Sequence, residues 1–142
     1  MKKKLLTIML IMLVAITLVG VIAVVVVTKL SDPTSAEGKP SIDEIIKSSV
    51  EIPEITTNLS SNDYIKISFM VQTENKKAKE ELEKRSFQVK NIIIAELSEM
   101  KATELIGKKG KEKLQDTLKT RINELMEEGK VEKVYITSSI LQ

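Results

Sequence analysis

The hydrophobic pattern of the chain changes period four times, and its first block has no polar period at all. From Leu5 to Thr28 it reads LLTIMLIMLVAITLVGVIAVVVVT, with Lys4 before it, Lys29 after it and no charge inside. At about 1.5 Å of rise per residue this length of helix spans roughly 36 Å. That is enough to cross a hydrocarbon core about 30 Å thick with some tilt. Lipid offers no partner for free backbone N–H and C=O groups, so the block is predicted as one transmembrane helix. Leu5 and Thr28 are its ends as a membrane anchor. Thr7 and Thr17 are expected to bond back to carbonyls of their own helix. Ala15, Gly20 and Ala23 are small enough for close helix approach but make no GxxxG pattern, so the anchor is expected to face lipid. A secretory signal also begins with lysines, but its apolar core is only about 7 to 15 residues long. The small residues Thr34-Ser35-Ala36 also lie well past the end of this block.

Beyond the block the pattern is that of a water-exposed domain. Ser31 to Pro40 carries two Pro, one Gly and small polar residues, the composition of a flexible linker. Ser41 is placed to cap a short helical turn through Ile42, Ile45 and Ile46, with Asp43 and Glu44 at its N-terminus. From Val50 to Asn58 a strand is predicted, with Pro53 breaking its ladder, which suits an edge or a bulge. Ser60-Ser61-Asn62-Asp63 is turn chemistry. Tyr64 to Thr73 then alternates strictly. Ile65, Ile67, Phe69 and Val71 interleave with Lys66, Ser68, Met70 and Gln72, as in a strand with one buried face. The two segments are expected to pair as an antiparallel hairpin.

The period then lengthens. Ala78, Leu82, Val89, Ile93 and Leu97 fall on one face of a helix from about Lys76 to Lys101, widened by Ile92 and Met100. Lysines 76, 77 and 79 beside Glu80, Glu81 and Glu83 offer solvated ion pairs on the other face. Thr103 is a candidate cap for a short turn ending at Gly107. A second helix is expected from Lys108 or Gly110 to Glu128, carrying Leu114, Leu118, Ile122 and Leu125 and stopped by Gly129. Around Val131 to Ile140, Val131, Tyr135 and Thr137 are read on one face of a strand, with Val134, Ile136 and Ile140 on the other. A strand apolar on both faces belongs inside a sheet.

Charge refines the division. The whole chain is weakly basic, with 22 Lys and Arg against 20 Asp and Glu. Without Lys2, Lys3, Lys4 and Lys29, which flank the anchor, the rest is slightly acidic. Nothing therefore points to a nucleic-acid surface, which needs a basic face. Three lysines before the anchor and one just after it set the N-terminus in the cytoplasm, with the remainder outside the membrane. The chain has no Cys and no His. No disulfide can brace an extracytoplasmic domain, which must hold by its core, and the commonest metal ligand and general base are missing. The expected organisation is a cytoplasmic stub (1–4), a transmembrane helix (5–28), a linker (29–49) and a small ββααβ domain of α+β class (50–142).

Few motifs suggest chemistry. Gly107-Lys108-Lys109-Gly110-Lys111 looks superficially like a phosphate loop, but only two residues separate its glycines and Glu112 stands where Ser or Thr is required. It reads as a hinge between two helices. The carboxylates fall on polar faces among lysines, and no pair is set to push two pKa values apart. No catalytic, cofactor or metal site is assigned. Arg85 interrupts the apolar face between Leu82 and Val89. It is either a boundary residue with a packed stem or a fixed ion-pair or subunit contact. Arg85 and Ile93 are the candidate packing or partner-contact residues.

Taken in order, these segments resemble the flagellar basal body-associated FliL family. The resemblance rests on Thr57-Asn58-Leu59 after a strand and on Arg85 ahead of the isoleucine-rich helix core. Its most telling part is Glu104-Leu105-Ile106-Gly107-Lys108-Lys109-Gly110-Lys111-Glu112-Lys113-Leu114. Ile122-Asn123, Gly129-Lys130-Val131 and Val134-Tyr135-Ile136-Thr137 follow. The chain departs from the family pattern at Phe87, Asn91 and Lys109, where Pro, Asp and an acidic residue are usual. The resemblance implies a non-enzymatic accessory of the flagellar motor in the cytoplasmic membrane. Its outer domain would be stomatin-like and assemble as a homo-oligomeric ring beside the stator units, supporting rotation, swarming and chemotaxis. A stomatin-like membrane scaffold without a flagellar role and a membrane-tethered enzyme are the alternatives. The enzyme would need a convergent polar pocket that the sequence does not display.

Overall fold

A computed structural model describes residues 1–30 and 38–142, with side chains described for 1–27 and 38–142. Most of the expected linker, with Thr34-Ser35-Ala36, lies outside the described residues, as does the side chain of Thr28. The chain forms two compact units, Met1–Lys39 and Pro40–Gln142.

The first unit is one helix, α1 (Lys2–Leu30). Its stretch Lys2–Val27 is long and apolar enough to cross a membrane. Thr7 Oγ1 donates to the carbonyl of Lys3 at 2.8 Å, and Thr17 Oγ1 to that of Val14 at 2.9 Å. Both hydroxyls thus satisfy themselves within the helix, as expected. At Gly20 an added Cβ would meet nothing within 4 Å.

The second unit begins with α2 (Ile42–Lys47), inside the stretch read as linker. Ser41 and Glu44 cap it reciprocally: Glu44 N–H donates to Ser41 Oγ, and Ser41 N–H to Glu44 Oε2 at 2.8 Å. Strands β1 (Ser49–Asn58) and β2 (Tyr64–Thr73) form the expected antiparallel hairpin. Asn62 turns the corner with φ 66°, a conformation Asn tolerates better than most residues. The helices α3 (Lys76–Lys84), α4 (Ser86–Glu99) and α5 (Gly107–Asn123) follow, with a 3-10 turn at Ala102–Leu105, and β3 (Val131–Leu141) closes the element order.

The sheet order is β1-β2-β3, all antiparallel. Strand β2 is central, and its alternation is realised: Ile65, Ile67, Phe69 and Val71 are buried, while the residues between them are half-exposed. The helices cover that one face. Ala78 and Leu82 of α3, Val89, Ile93 and Leu97 of α4, and Leu114, Leu118 and Ile122 of α5 are buried. All of these but Ala78 share one hydrophobic cluster with the sheet. Each large side chain so buried contributes roughly 1.5–3 kcal/mol.

Four expectations are corrected. Strand β3 lies at an edge and not inside the sheet. Its apolar residues mislead because two bulges, near Glu132 and Thr137, shift the register. They bring Val131, Val134 and Ile136 opposite Thr73, Val71 and Phe69, all on the helix-covered face. The helix expected over Lys76–Lys101 is two helices that break at Arg85 (φ −88°, ψ 11°). Thr103 does not cap its turn. It lies inside the 3-10 turn, and Glu104 Oε2 accepts the N–H of Lys101 at 2.7 Å. The second long helix ends at Asn123, well before Gly129.

Candidate functional site

The break at Arg85 is the most heavily bonded polar feature of the folded unit. Glu81 lies one turn before it on α3, on the same face as buried Ala78 and Leu82, so its carboxylate points inward. Arg85 Nε donates to Glu81 Oε1 at 2.7 Å, and Arg85 Nη1 donates to Gln88 Oε1 at 3.1 Å. The guanidinium also stands 3.7 Å from the exposed carboxylate of Glu127. Beyond α5, the N–H of Glu127 donates to both Glu81 oxygens at 3.0 Å, and that of Glu128 to Oε2 at 2.7 Å. One carboxylate therefore ties α3, the break and the α5–β3 connection together. The Glu81 side chain is 10% exposed and that of Arg85 25%.

Burial pushes the Glu81 carboxyl up, but the N–H of Glu128, the Arg85 guanidinium and the N–H of Glu127 outweigh it. The carboxyl lies below its ordinary 4.5. Glu81 is thus ionised at neutral pH, with its oxygens occupied. This overturns the reading of the carboxylates as uniformly solvated. The i,i+4 spacing to Arg85 and the neighbouring Leu82 were the available signals. The backbone donors, 46 and 47 residues away, left none.

Ile93 lies in the core at 1% exposure, while the next residue, Ile94, is 42% exposed, and Phe87, also on α4, is 71% exposed. Seven residues apart, Phe87 and Ile94 share a helical face, with exposed Asn91 between them. Exposed Lys90, three residues after Phe87 and four before Ile94, borders the same side, so α4 presents an apolar pair beside one cation; the apolar period followed the buried face and gave no sign of it. Arg85 and Ile93 therefore do not converge on one surface: Arg85 sits at the clasp, and Ile93 supports α4 from beneath.

The glycines of the lysine-rich segment have separate roles. Gly107, the first residue of α5, adopts φ +83°. At Gly110 a Cβ would stand 1.8 Å from the Glu104 carbonyl oxygen, so only Gly allows the 3-10 turn to pack there. The segment is a close backbone contact more than a hinge. Arg121 Nε donates to Glu96 Oε1 at 3.0 Å and joins α5 to α4. Among the described residues, no group of three or more acidic residues could hold a metal ion.

Residues 49–142, from the first residue of β1 to the end of the chain, match the family described as flagellar basal body-associated protein FliL. A flagellar protein FliL of Bacillus subtilis (strain 168) is 52% identical over 107 residues, covering 75% of this chain and 76% of the relative. A flagellar protein FliL of Aquifex aeolicus (strain VF5) is 28% identical over 93 residues, covering 63% of this chain and 58% of the relative.

Proposed function

We propose, from the premise that this chain belongs to the FliL family of flagellar basal body-associated proteins, that it is a non-enzymatic, membrane-anchored accessory of the bacterial flagellar motor. The observation that carries this reading is the extent of the family match. It spans the whole sheet and its covering helices, and so concerns an entire folded module and not a short motif. Helix α1, with its apolar stretch Lys2–Val27, anchors that module in the cytoplasmic membrane between Leu5 and Thr28, with Gly20 facing lipid. Lys2, Lys3 and Lys4 keep the N-terminus inside, and the residues after the anchor lie outside. Residues 1–4, 5–28, 29–49 and 50–142 act as stub, anchor, linker and working domain.

The working domain assembles with further copies as a ring beside the stator units and supports rotation, swarming and chemotactic motility. Tethering to one membrane raises the effective concentration of the copies, so weak faces suffice. The non-enzymatic part of the reading is supported by the clasp. Both oxygens of its carboxylate already accept from Arg85 and from the N–H groups of Glu127 and Glu128, which ties them to structural bonds. Ile93 contributes by packing. Arg85 contributes by fixing the α3–α4 break and by offering its exposed edge to a neighbour.

Arg85→Ala and Ile93→Glu are expected to reduce swarming while filaments still assemble, scored on plates and by filament staining. Photocrosslinkers at Phe87 and Ile94, used in intact cells, should retrieve stator or basal-body components. Normal swarming of cells that lack the protein, together with crosslinks to neither class, would rule out the motor role.

A further inference from the structure

We propose that the open edge of β3 is a strand-addition site for an extended, carboxylate-bearing segment of another protein. The proposal rests on the edge itself and stands apart from the motor reading.

A three-stranded sheet has two edges, and here they are treated unequally. The β1 edge is blunted. Pro53 has no N–H to offer, Pro53 and Glu54 interrupt the register between Ile52 and Ile55, and Glu51 and Glu54 are exposed. Proline, a bulge and outward charge are the usual protections of an edge.

The β3 edge is protected over its first half only. Tyr64 and Gln142 exchange both backbone bonds at 2.8 Å, which sets the phase of the ladder. In an antiparallel pair, residues alternate between facing the partner strand and facing away. Leu141 and Ser139 therefore present their N–H and C=O outward. Past the bulge at Thr137, so do Ile136 and Val134, and past the second bulge so does Val131.

Helix α5 completes this edge where it begins. The carboxamide of Asn123 accepts the Val131 N–H at 2.7 Å and donates to the Val131 carbonyl at 3.1 Å. Gln115 Nε2 donates to the Val134 carbonyl at 2.7 Å. Two side chains thus stand in for a neighbouring strand. From Ile136 to Leu141 no described residue takes the outward backbone groups.

Beside that stretch the helix and the strand part. A groove of about 450 Å³ opens between Lys108, Lys111, Glu112 and Gln115 on one wall and Ile136–Ser139 on the other. An edge strand flanked by a groove and a helix is the arrangement that accepts an added peptide strand.

Charge selects the occupant. The segment Gly107–Lys113 holds four lysines against Glu112 alone. Glu112 lies 3.6 Å from Lys108, while Lys111 has no ion pair among the described residues. Every second side chain of an added strand points toward the helix side of the sheet. Carboxylates at those positions meet Lys108 and Lys111, so the guest is an acidic extended segment.

The test uses the full chain in detergent micelles and a short capped peptide alternating Glu and Val, with its Lys and Val counterpart as control. Amide exchange at Ile136, Ser139 and Leu141 should slow by about tenfold or more with the acidic peptide and not with the basic one. Ser139→Pro removes one outward N–H where an edge tolerates Pro. It should abolish the protection while exchange at Lys66 and Met70, whose N–H groups face β3, stays unchanged, which shows β3 still docked on the sheet. Lys108→Glu combined with Lys111→Glu should reverse the preference between the peptides. Unchanged exchange at saturating acidic peptide, or full binding by Ser139→Pro, would overturn the proposal. Protection that grows with protein concentration in the absence of peptide would also overturn it, and would assign the edge to a second copy of this chain.

Discussion

Glu81 and Gln are nearly the same shape, so Glu81→Gln isolates the charge at the clasp. A carboxyl whose folded pKa is lowered stabilises the fold above its ordinary 4.5 and loses that contribution as pH falls through the lowered value. Glu81→Gln is therefore expected to melt below the parent at neutral pH. The gap should narrow as pH drops below 4.5, measured by thermal unfolding across an acid series. At this scale the sequence was legible where spacing alone decides. Thr7, Thr17 and Ser41 bond as local rules dictate. Glu81 was not legible, because Glu80 and Glu83 beside it are exposed and its deciding donors come from the connection between α5 and β3.

Among the elements, period two in β2 and the helical faces of α4 and α5 were read correctly, since each is covered on one side only. The position of β3 was misread for a physical reason. Strict alternation assigns faces only while the register is unbroken, and two bulges break it. The ends of the helices were obscured in the same way, since tertiary bonds set them. Asn123 ends α5 with its side chain already paired to Val131. Asn123→Ala would leave the part-buried N–H and C=O of Val131 without those partners. It is expected to cost about 1–3 kcal/mol, read from the unfolding midpoint, and to speed exchange at the Val131 amide.

For the whole molecule, the α+β class and the apolar N-terminal helix followed from hydropathy alone, while the order of strands in the sheet required the coordinates. Because Pro40–Gln142 is compact by itself and holds the shared core, a fragment of residues 40–142 is expected to fold. It should stay in the aqueous phase of a detergent-partition assay, while the intact chain follows the detergent. An unfolded fragment would show that the module depends on what precedes it.

One backbone carbonyl closes the β1–β2 ladder at the end where the first strand begins. Ser48, between α2 and β1, accepts both the N–H of Thr73 at 2.9 Å and its hydroxyl at 2.6 Å. Lys79 Nζ reaches the neighbouring carbonyl of Lys47 at 3.2 Å. Tension applied through the N-terminal side of the folded unit passes α2 and reaches the sheet at this point. It pulls on the end of an outer strand, where bonds yield one after another and not all at once. The knot around Ser48 is thus the mechanical fuse of the domain: while it holds, force passes into the body of the sheet, and once it slips the strand can peel away like a zip.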